Sequence, residues 1–391
     1  MLAVIGTRPE AIKLAPVVDA LHAQADHVEV RVALTGQHSE LVDQVLDVFG
    51  FATDWDLGIM REGQDLFDVG IGCLAGLRDV LREYRPSLVV VQGDTGSVFF
   101  GALGGFFERA AVGHVEAGLR SGDRWRPYPE EVFRRLTSVL TDAHFAPTLG
   151  ARDNLIREGI EAATIFVTGN TVVDALLRIA AAPRELRDPT VASAVRGARR
   201  LVLVTAHRRE SFGAPLREAF GAMRALADRH EDIVLLYPVH PNPNVREPAE
   251  SVLGGHDRIV LTRPIDYLDL VTALERAALV ITDSGGIQEE APTFGVPVVV
   301  LREVTERPEG VAAGVARLVG TDAAAILAAA DAALAGEWVV NAGAGNPYGD
   351  GRAAERIADI VVHRLTGRPR RTTDWDGGVL ANTAVAPPAR A

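Results

Sequence analysis

Residues 281–292 read ITDSGGIQEEAP: an apolar run ends in a hydroxyl and an acid, two glycines follow, and two adjacent glutamates come where a helix is expected to begin. A strand running through a short glycine turn into a helix is the junction from which open parallel α/β sheets are built. Working outward, similar β-branched runs recur: LAVI (2–5), VEVRVAL (28–34), SLVVVQ (87–92), AVGHVE (111–116), AHFAP (143–147) and TIFVT (164–168). A second set follows: RLVLVTA (200–206), IVLLYPV (233–239), RIVLT (258–262), ALVIT (278–282), PVVVLR (297–302) and ARLVG (316–320). Amphipathic stretches separate nearly every pair, so the expected fold class is α/β with parallel sheets covered on both faces. The two sets predict two Rossmann-like domains, 1–170 and 171–349, divided by the polar, proline-bearing segment 181–200 with a linker near 170–195. A helix over about 350–366 is expected to pack back on the first domain, and the aperiodic stretch 367–391 reads as a mobile tail.

Composition narrows the functional classes. The chain has 391 residues, is 48% apolar, and carries a formal charge of -12. That charge argues against nucleic-acid or anionic-membrane partners, which require clustered cations. Cys73 is the only cysteine, which excludes an intramolecular disulfide and a cysteine-based zinc site. No run approaches the ~20 apolar residues of a membrane helix, and MLAVI passes directly into GTRPE without a leader, so a cytoplasmic location is expected. Of the 40 basic residues, Lys13 is the sole lysine, and it falls inside the motif GTRPEAIK.

The polar motifs are ordered with respect to the strands. GTRPE, TGQH, QGDT, VEAGLRS, TAHRRE, PVHPNP, TDSGG and REVTERPE each follow a predicted strand, the end at which parallel sheets bind ligands. Both domains are therefore expected to direct their chemistry to one interdomain cleft. GIGCLA (70–75) matches a dinucleotide fingerprint formally but lacks the preceding strand, and reads instead as a helix containing small residues. There is no P-loop, no HExxH and no metal-ligand spacing, so no cofactor and no metal are expected. Ser284, Gly285 and Gly286 offer backbone N–H groups to a phosphate or pyrophosphate, while Glu290, about a turn deeper, suits a ribose diol. The ligand suggested is a nucleoside diphosphate; the alternative is ordinary capping by Ser284.

The ordered motifs GTRPEAIKLAP, TGQH, QGDT, GHVEAGLRS, YPEE, TAHRRESFG, YPVHPNPNV, TDSGGIQEEAPTFGVPVVVLREVTERPEG and NPYGDGRAAERI resemble the non-hydrolysing UDP-N-acetylglucosamine 2-epimerases from residue 5 to about 358. The resemblance implies a glycosyltransferase-B-like fold and a homodimer. It implies reversible conversion of UDP-N-acetylglucosamine to UDP-N-acetylmannosamine, by elimination of UDP to 2-acetamidoglucal and readdition. By the same matching, Asp94, Glu116 and Glu130 take the places of the catalytic carboxylates, and His207 contacts the leaving phosphate. Arg8, Lys13, Arg134, His240 and Arg307 join Ser284, Gly285, Gly286 and Glu290 around substrate, and Gln37 and His38 stand where relatives bind an activating second nucleotide sugar. Crowded carboxyls can divide acid and base roles, because a neighbour's charge raises one pKa.

Departures from the pattern are Phe133 and Ser211 where asparagine is usual, Gly96 where threonine is common, Glu40 for a frequent glutamine, and Gly63 for an arginine of some members. The last two predict weakened effector activation. Competing readings are a hydrolysing epimerase, a glycosyltransferase of the same fold, and a nucleotide-sugar-binding regulator without turnover. The bland roles for the acids are a turn cap for Asp94, dipole matching for Glu130 and an Arg120 ion pair for Glu116.

Overall fold

β-Branched and leucine-rich runs become strands because such side chains fit a pleated surface buried on both sides. A computed structural model of the chain describes residues 1–36, 42, 45, 46, 48–59, 61, 63–182, 185–340 and 345–377. The first strands are β1 (Leu2–Ile5), β2 (Arg31–Leu34), β3 (Trp55–Asp56), β4 (Leu88–Gln92), β5 (Ala111–Val115), β6 (Ala143–Ala146) and β7 (Ile165–Val167). The rest are β8 (Arg200–Thr205), β9 (Ile233–Pro238), β10 (Ile259–Thr262), β11 (Ala277–Thr282), β12 (Val298–Val300) and β13 (Ala316–Leu318). Each expected run forms its strand. Among the described residues, sequence reading missed only β3, whose two residues are too short to show a period.

The strands form two parallel sheets, ordered β3-β2-β1-β4-β5-β6-β7 and β10-β9-β8-β11-β12-β13. Both are doubly wound, with strand order reversing between β1 and β4 in one and between β8 and β11 in the other. Met1–Ala175 with Tyr348–Gly377 form one compact unit, and Leu176–Pro347 belong to the other. In the second sheet the side-chain period of two is explicit. Val202, Val204, Leu279, Ile281 and Val299 face the helices Ala214–Arg229 and Ala323–Leu334. Their neighbours Leu201, Leu203, Val280, Val298 and Val300 enter the opposite core.

Two expectations change. Residues 170–195 hold two helices, Thr171–Ala181 and Pro189–Arg196, where a linker was expected. Asp188 caps the second through the Thr190 and Val191 N–H groups, and Val191 and Ala194 insert into the core. Helical spacing of these apolar residues outweighs the polar composition of the segment. The second change is at the C-terminal end. The helix Ala353–Thr366 packs beside Arg8–His22, and its first N–H groups, Ala353 and Ala354, donate to Asp174. The chain beyond it, expected as a tail from residue 367, stays docked through Gly377 in the first unit. Asp359 accepts from the Arg371 and Thr372 N–H groups, Val167 N–H donates to Asp374, and Trp375 N–H donates to the Val167 carbonyl. Trp375, 6% exposed, supplies the apolar anchor that composition alone understates. Residues 378–391 lie outside the described residues. Among the described residues no helix is long and apolar enough to cross a membrane.

Because Trp375 is buried, Trp375→Ala should lower the unfolding free energy by about 3 kcal/mol, read as an earlier urea midpoint with an unchanged slope.

Candidate active site

Polar residues of the first unit gather where β1, β4 and β5 end. After β1 the chain runs through Gly6 and Thr7 into the helix Arg8–His22, where half-buried Arg8 is the first residue. Lys13, one turn on and 7% exposed, ion-pairs with Glu116 at the end of β5. Asn170 also donates to Glu116 at 3.0 Å. Glu116 has φ 66, a left-handed conformation unfavourable for a residue with a Cβ. Such strain persists where surroundings over-determine it, and here two side chains hold the carboxylate. Arg120, expected as its structural partner, pairs with Glu158 instead.

Asp94 follows β4 and accepts from Arg134 Nη2 at 2.6 Å. Arg134 lies one turn into the helix Glu130–Leu140, which half-buried Glu130 opens. The same guanidinium donates through Nη1 to Glu131 at 3.0 Å; Glu131 is fully buried and also accepts from the Ser121 and Gly122 N–H groups. Arg134, expected to hold phosphate, is thus engaged by two carboxylates and ties the Glu130 helix to Asp94. Phe133 stacks on Phe99 at 5.2 Å and meets Phe100 edge-on at 6.1 Å, so the substitution for asparagine is absorbed by an aromatic cluster. GIGCLA lies in the helix Leu66–Tyr84, as expected from its small residues. A Cβ on Gly70 would come within 2.7 Å of the Phe100 ring, which gives that glycine a packing reason.

Two residues around Asp94 were not singled out from sequence. His114 is fully buried and its Nε2 donates to the Gly93 carbonyl at 2.7 Å; burial pushes its pKa down to about 3, so the ring is neutral. Glu10, 2% exposed, accepts from Gly6 N–H at 2.7 Å, Thr7 Oγ1 at 2.8 Å and Thr95 Oγ1 at 2.7 Å. Burial raises its carboxyl to about 7, with the Asp94 charge adding to the rise and the hydrogen bonds opposing it. Both residues lie inside quoted motifs, but their roles depend on contacts with distant chain segments.

In the second unit, His207 follows β8 and its ring stacks on His240 with centroids 5.6 Å apart. Partial burial and then the neighbouring His207 lower the His240 pKa, against the pull of Asp283. Asp283, 1% exposed and also missed, accepts from the His207 N–H at 2.6 Å and the Arg208 N–H at 2.8 Å. Its second oxygen lies 3.3 Å from His207 Nδ1. Ser284 occupies the N-cap of the helix Gly285–Glu290 but makes no side-chain cap bond, so simple capping does not account for it. A Cβ on Gly285 would lie 2.5 Å from Arg307 Nη1, whereas one on Gly286 would make ordinary contact with Ser284 Oγ at 3.9 Å. Arg307 is buried and donates to Glu289 at 2.9 Å and Glu306 at 2.7 Å. Burial alone would raise the Glu306 pKa, but Arg307, Arg302 and Arg208 hold it well below the usual carboxylate range. Glu290 is nearly buried, with Tyr267 Oη 3.5 Å from Oε1. Gln37, His38 and Glu40, which bear on the effector expectation, lie outside the described residues.

The first unit carries three acids and an ammonium at the end of its sheet; the second, taken by itself, carries a histidine pair and a glycine-lined helix start at the end of its own. The first can carry proton transfer and the second polyanion recognition. Comparison with known proteins gives the same direction. The family model for UDP-N-acetylglucosamine 2-epimerase matches residues 19–362. The UDP-N-acetylglucosamine 2-epimerase of Yersinia pestis is 48% identical over 374 residues, covering 94% of this chain and 99% of the relative. Among solved structures, S. aureus MnaA in a co-structure with UDP is 42% identical with a TM-score of 0.88, over 96% of this chain and 99% of its own. UDP-GlcNAc 2-epimerase from Neisseria meningitidis, bound to UDP-GlcNAc, is 39% identical with a TM-score of 0.85, over 94% and 99%.

The raised Glu10 carboxyl sets a pH dependence of stability. The folded chain holds this proton more tightly than the unfolded chain, so its contribution is fullest below the ordinary carboxyl value of 4.5 and is lost as pH rises to about 7. Across that window the stability of the parent relative to Glu10→Gln should fall by about 3 kcal/mol, measured by urea unfolding at a series of pH values.

Proposed function

The chain belongs to the UDP-N-acetylglucosamine 2-epimerase family, a family of isomerases, and we propose that it interconverts UDP-N-acetylglucosamine and UDP-N-acetylmannosamine without hydrolysis. The observation that carries this reading is the gathering of Asp94, Glu116 and the Glu130 helix at one sheet end, with Lys13 and Arg134 holding two of the carboxylates. A site for anions alone gains nothing from such acids. Proton transfer at carbon requires them.

The C2 hydrogen has no adjacent ketone, so direct removal leaves a poorly stabilised carbanion. Elimination avoids it. A carboxylate takes the C2 proton, the C2–H electron pair becomes the C1=C2 bond of 2-acetamidoglucal, and the C1–O bond breaks with its pair leaving on UDP. Return of a proton to the opposite face of C2, with attack of a diphosphate oxygen on C1, gives the epimer. Asp94, Glu116 and Glu130 share the two proton transfers. Ser284, Gly285 and Gly286 bind the diphosphate through N–H and hydroxyl donors, and Glu290 accepts from the ribose. His207, with His240 against its ring, contacts the leaving phosphate and offsets its charge. Arg8 and Lys13 add positive charge on the sugar side. Arg307 acts through Gly285, against which its guanidinium rests. Relatives solved with UDP and with UDP-GlcNAc support this choice of ligand.

Incubating the protein with UDP-N-acetylglucosamine in deuterium oxide should label C2 of both epimers in proton NMR while the sugar stays attached to UDP. Free N-acetylmannosamine would instead establish hydrolysis, and an unlabelled C2 would remove the elimination mechanism. Glu116→Gln should lower kcat about 10²- to 10⁴-fold, the range of a lost general acid or base. Gly285→Ala should weaken UDP binding about tenfold in calorimetry, since the new methyl meets a guanidinium that Glu289 and Glu306 restrain.

A further inference from the structure

We propose that Glu10 is a positioning residue for the reaction: its buried carboxylate latches the loop after β1 to the loop after β4 and thereby fixes Asp94. This inference rests on the catalytic reading of Asp94.

The geometry is specific. Thr7 is the N-cap of Arg8–His22 and Thr95 is the N-cap of Gly96–Phe107, yet neither side chain makes a cap bond. A capping hydroxyl commonly contributes about 1 kcal/mol to a helix. Both threonines turn instead to Glu10 Oε1, at 2.8 and 2.7 Å, while Gly6 N–H donates to Oε2 at 2.7 Å. Glu10 is the third residue of its helix and would serve an ordinary capping box by accepting from the N-cap N–H. Here it reaches one residue further back and across to the neighbouring strand's loop. β1 and β4 are the strands between which the sheet order reverses, so the latch spans the opening where parallel sheets place ligands. Thr95 is covalently next to Asp94, whose other restraints are Arg134 on its carboxylate and His114 on the Gly93 carbonyl. The approach is close enough that a Cβ on Gly6 would lie 2.1 Å from Ser97 Oγ.

Among the described residues, few charged and titratable groups surround the latch. Asp94 faces Glu10 past Thr95, with Arg134 beyond it, and Lys13 with Glu116 lies a turn along the helix. Cys73, from Leu66–Tyr84, is raised to about 12 by burial, so it stays a thiol.

The test compares Thr95→Val, Thr95→Ser and Glu10→Gln with Asp94→Asn in the epimerisation assay, with thermal melts for each. Thr95→Val removes the bond to the Asp94 loop without removing a helix cap. It should lower kcat about ten- to a hundredfold, the cost of a small misplacement of a reacting group, with KM within about twofold of the parent. Thr95→Ser should restore the rate. Glu10→Gln should show the same split and also lose any inflection near pH 7 from the kcat/KM profile. Unchanged kcat in Thr95→Val, or an equal loss in Thr95→Ser and Thr95→Val, overturns the proposal, and this pair decides it even if Glu10→Gln fails to fold. A fully active Asp94→Asn would instead overturn the catalytic reading on which the latch depends.

Discussion

A buried carboxylate tying two neighbouring strand ends is the constraint on which the rest of this molecule depends. In the first unit Glu10 gathers Gly6, Thr7 and Thr95. In the second, Asp283 after β11 takes the His207 and Arg208 N–H groups after β8. Each carboxylate sits beside the place where strand order reverses. Parallel sheets leave their ligand-binding loops there without ladder bonds to fix them, so a buried acceptor supplies the missing order. The donors it collects offset part of its desolvation, and for Glu10 burial still prevails.

The same economy governs the cations. Arg134 and Arg307 read from sequence as residues around substrate, yet each donates to two acids. A buried guanidinium without partners would be costly, and paired in this way it becomes a rigid part of the wall. Arg134 then holds a helix to the loop after β4, and Arg307 dictates that residue 285 has no side chain. Positive charge still lies near each site, while the groups proposed to touch the anion are backbone N–H groups and a pair of histidines. Phe133 fits this picture: stacked on Phe99, it replaces a polar neighbour by packing while leaving Arg134 on Asp94.

The parallel strands, their grouping into two sets and the placement of every motif after a strand were legible in the sequence, because a period of two and β-branched composition are local properties. The positions of Asp94, Glu116, Glu130 and Ser284–Gly286 after strand ends were legible because they fall in ordered motifs there. Length, charge, the single cysteine and membership of the family also follow from the residues alone. What only the tertiary structure decided is pairing. Lys13 chooses Glu116, Arg120 chooses Glu158, two threonines leave their helix caps for Glu10, and the segment through Gly377 docks by burying its Trp375 and by bonding Asp359. Docking of that segment joins residues as far apart as Val167 and Asp374, 207 positions, and Gln24 and Arg371, 347 positions. No local pattern encodes them, since each depends on which strand ends the fold brings side by side.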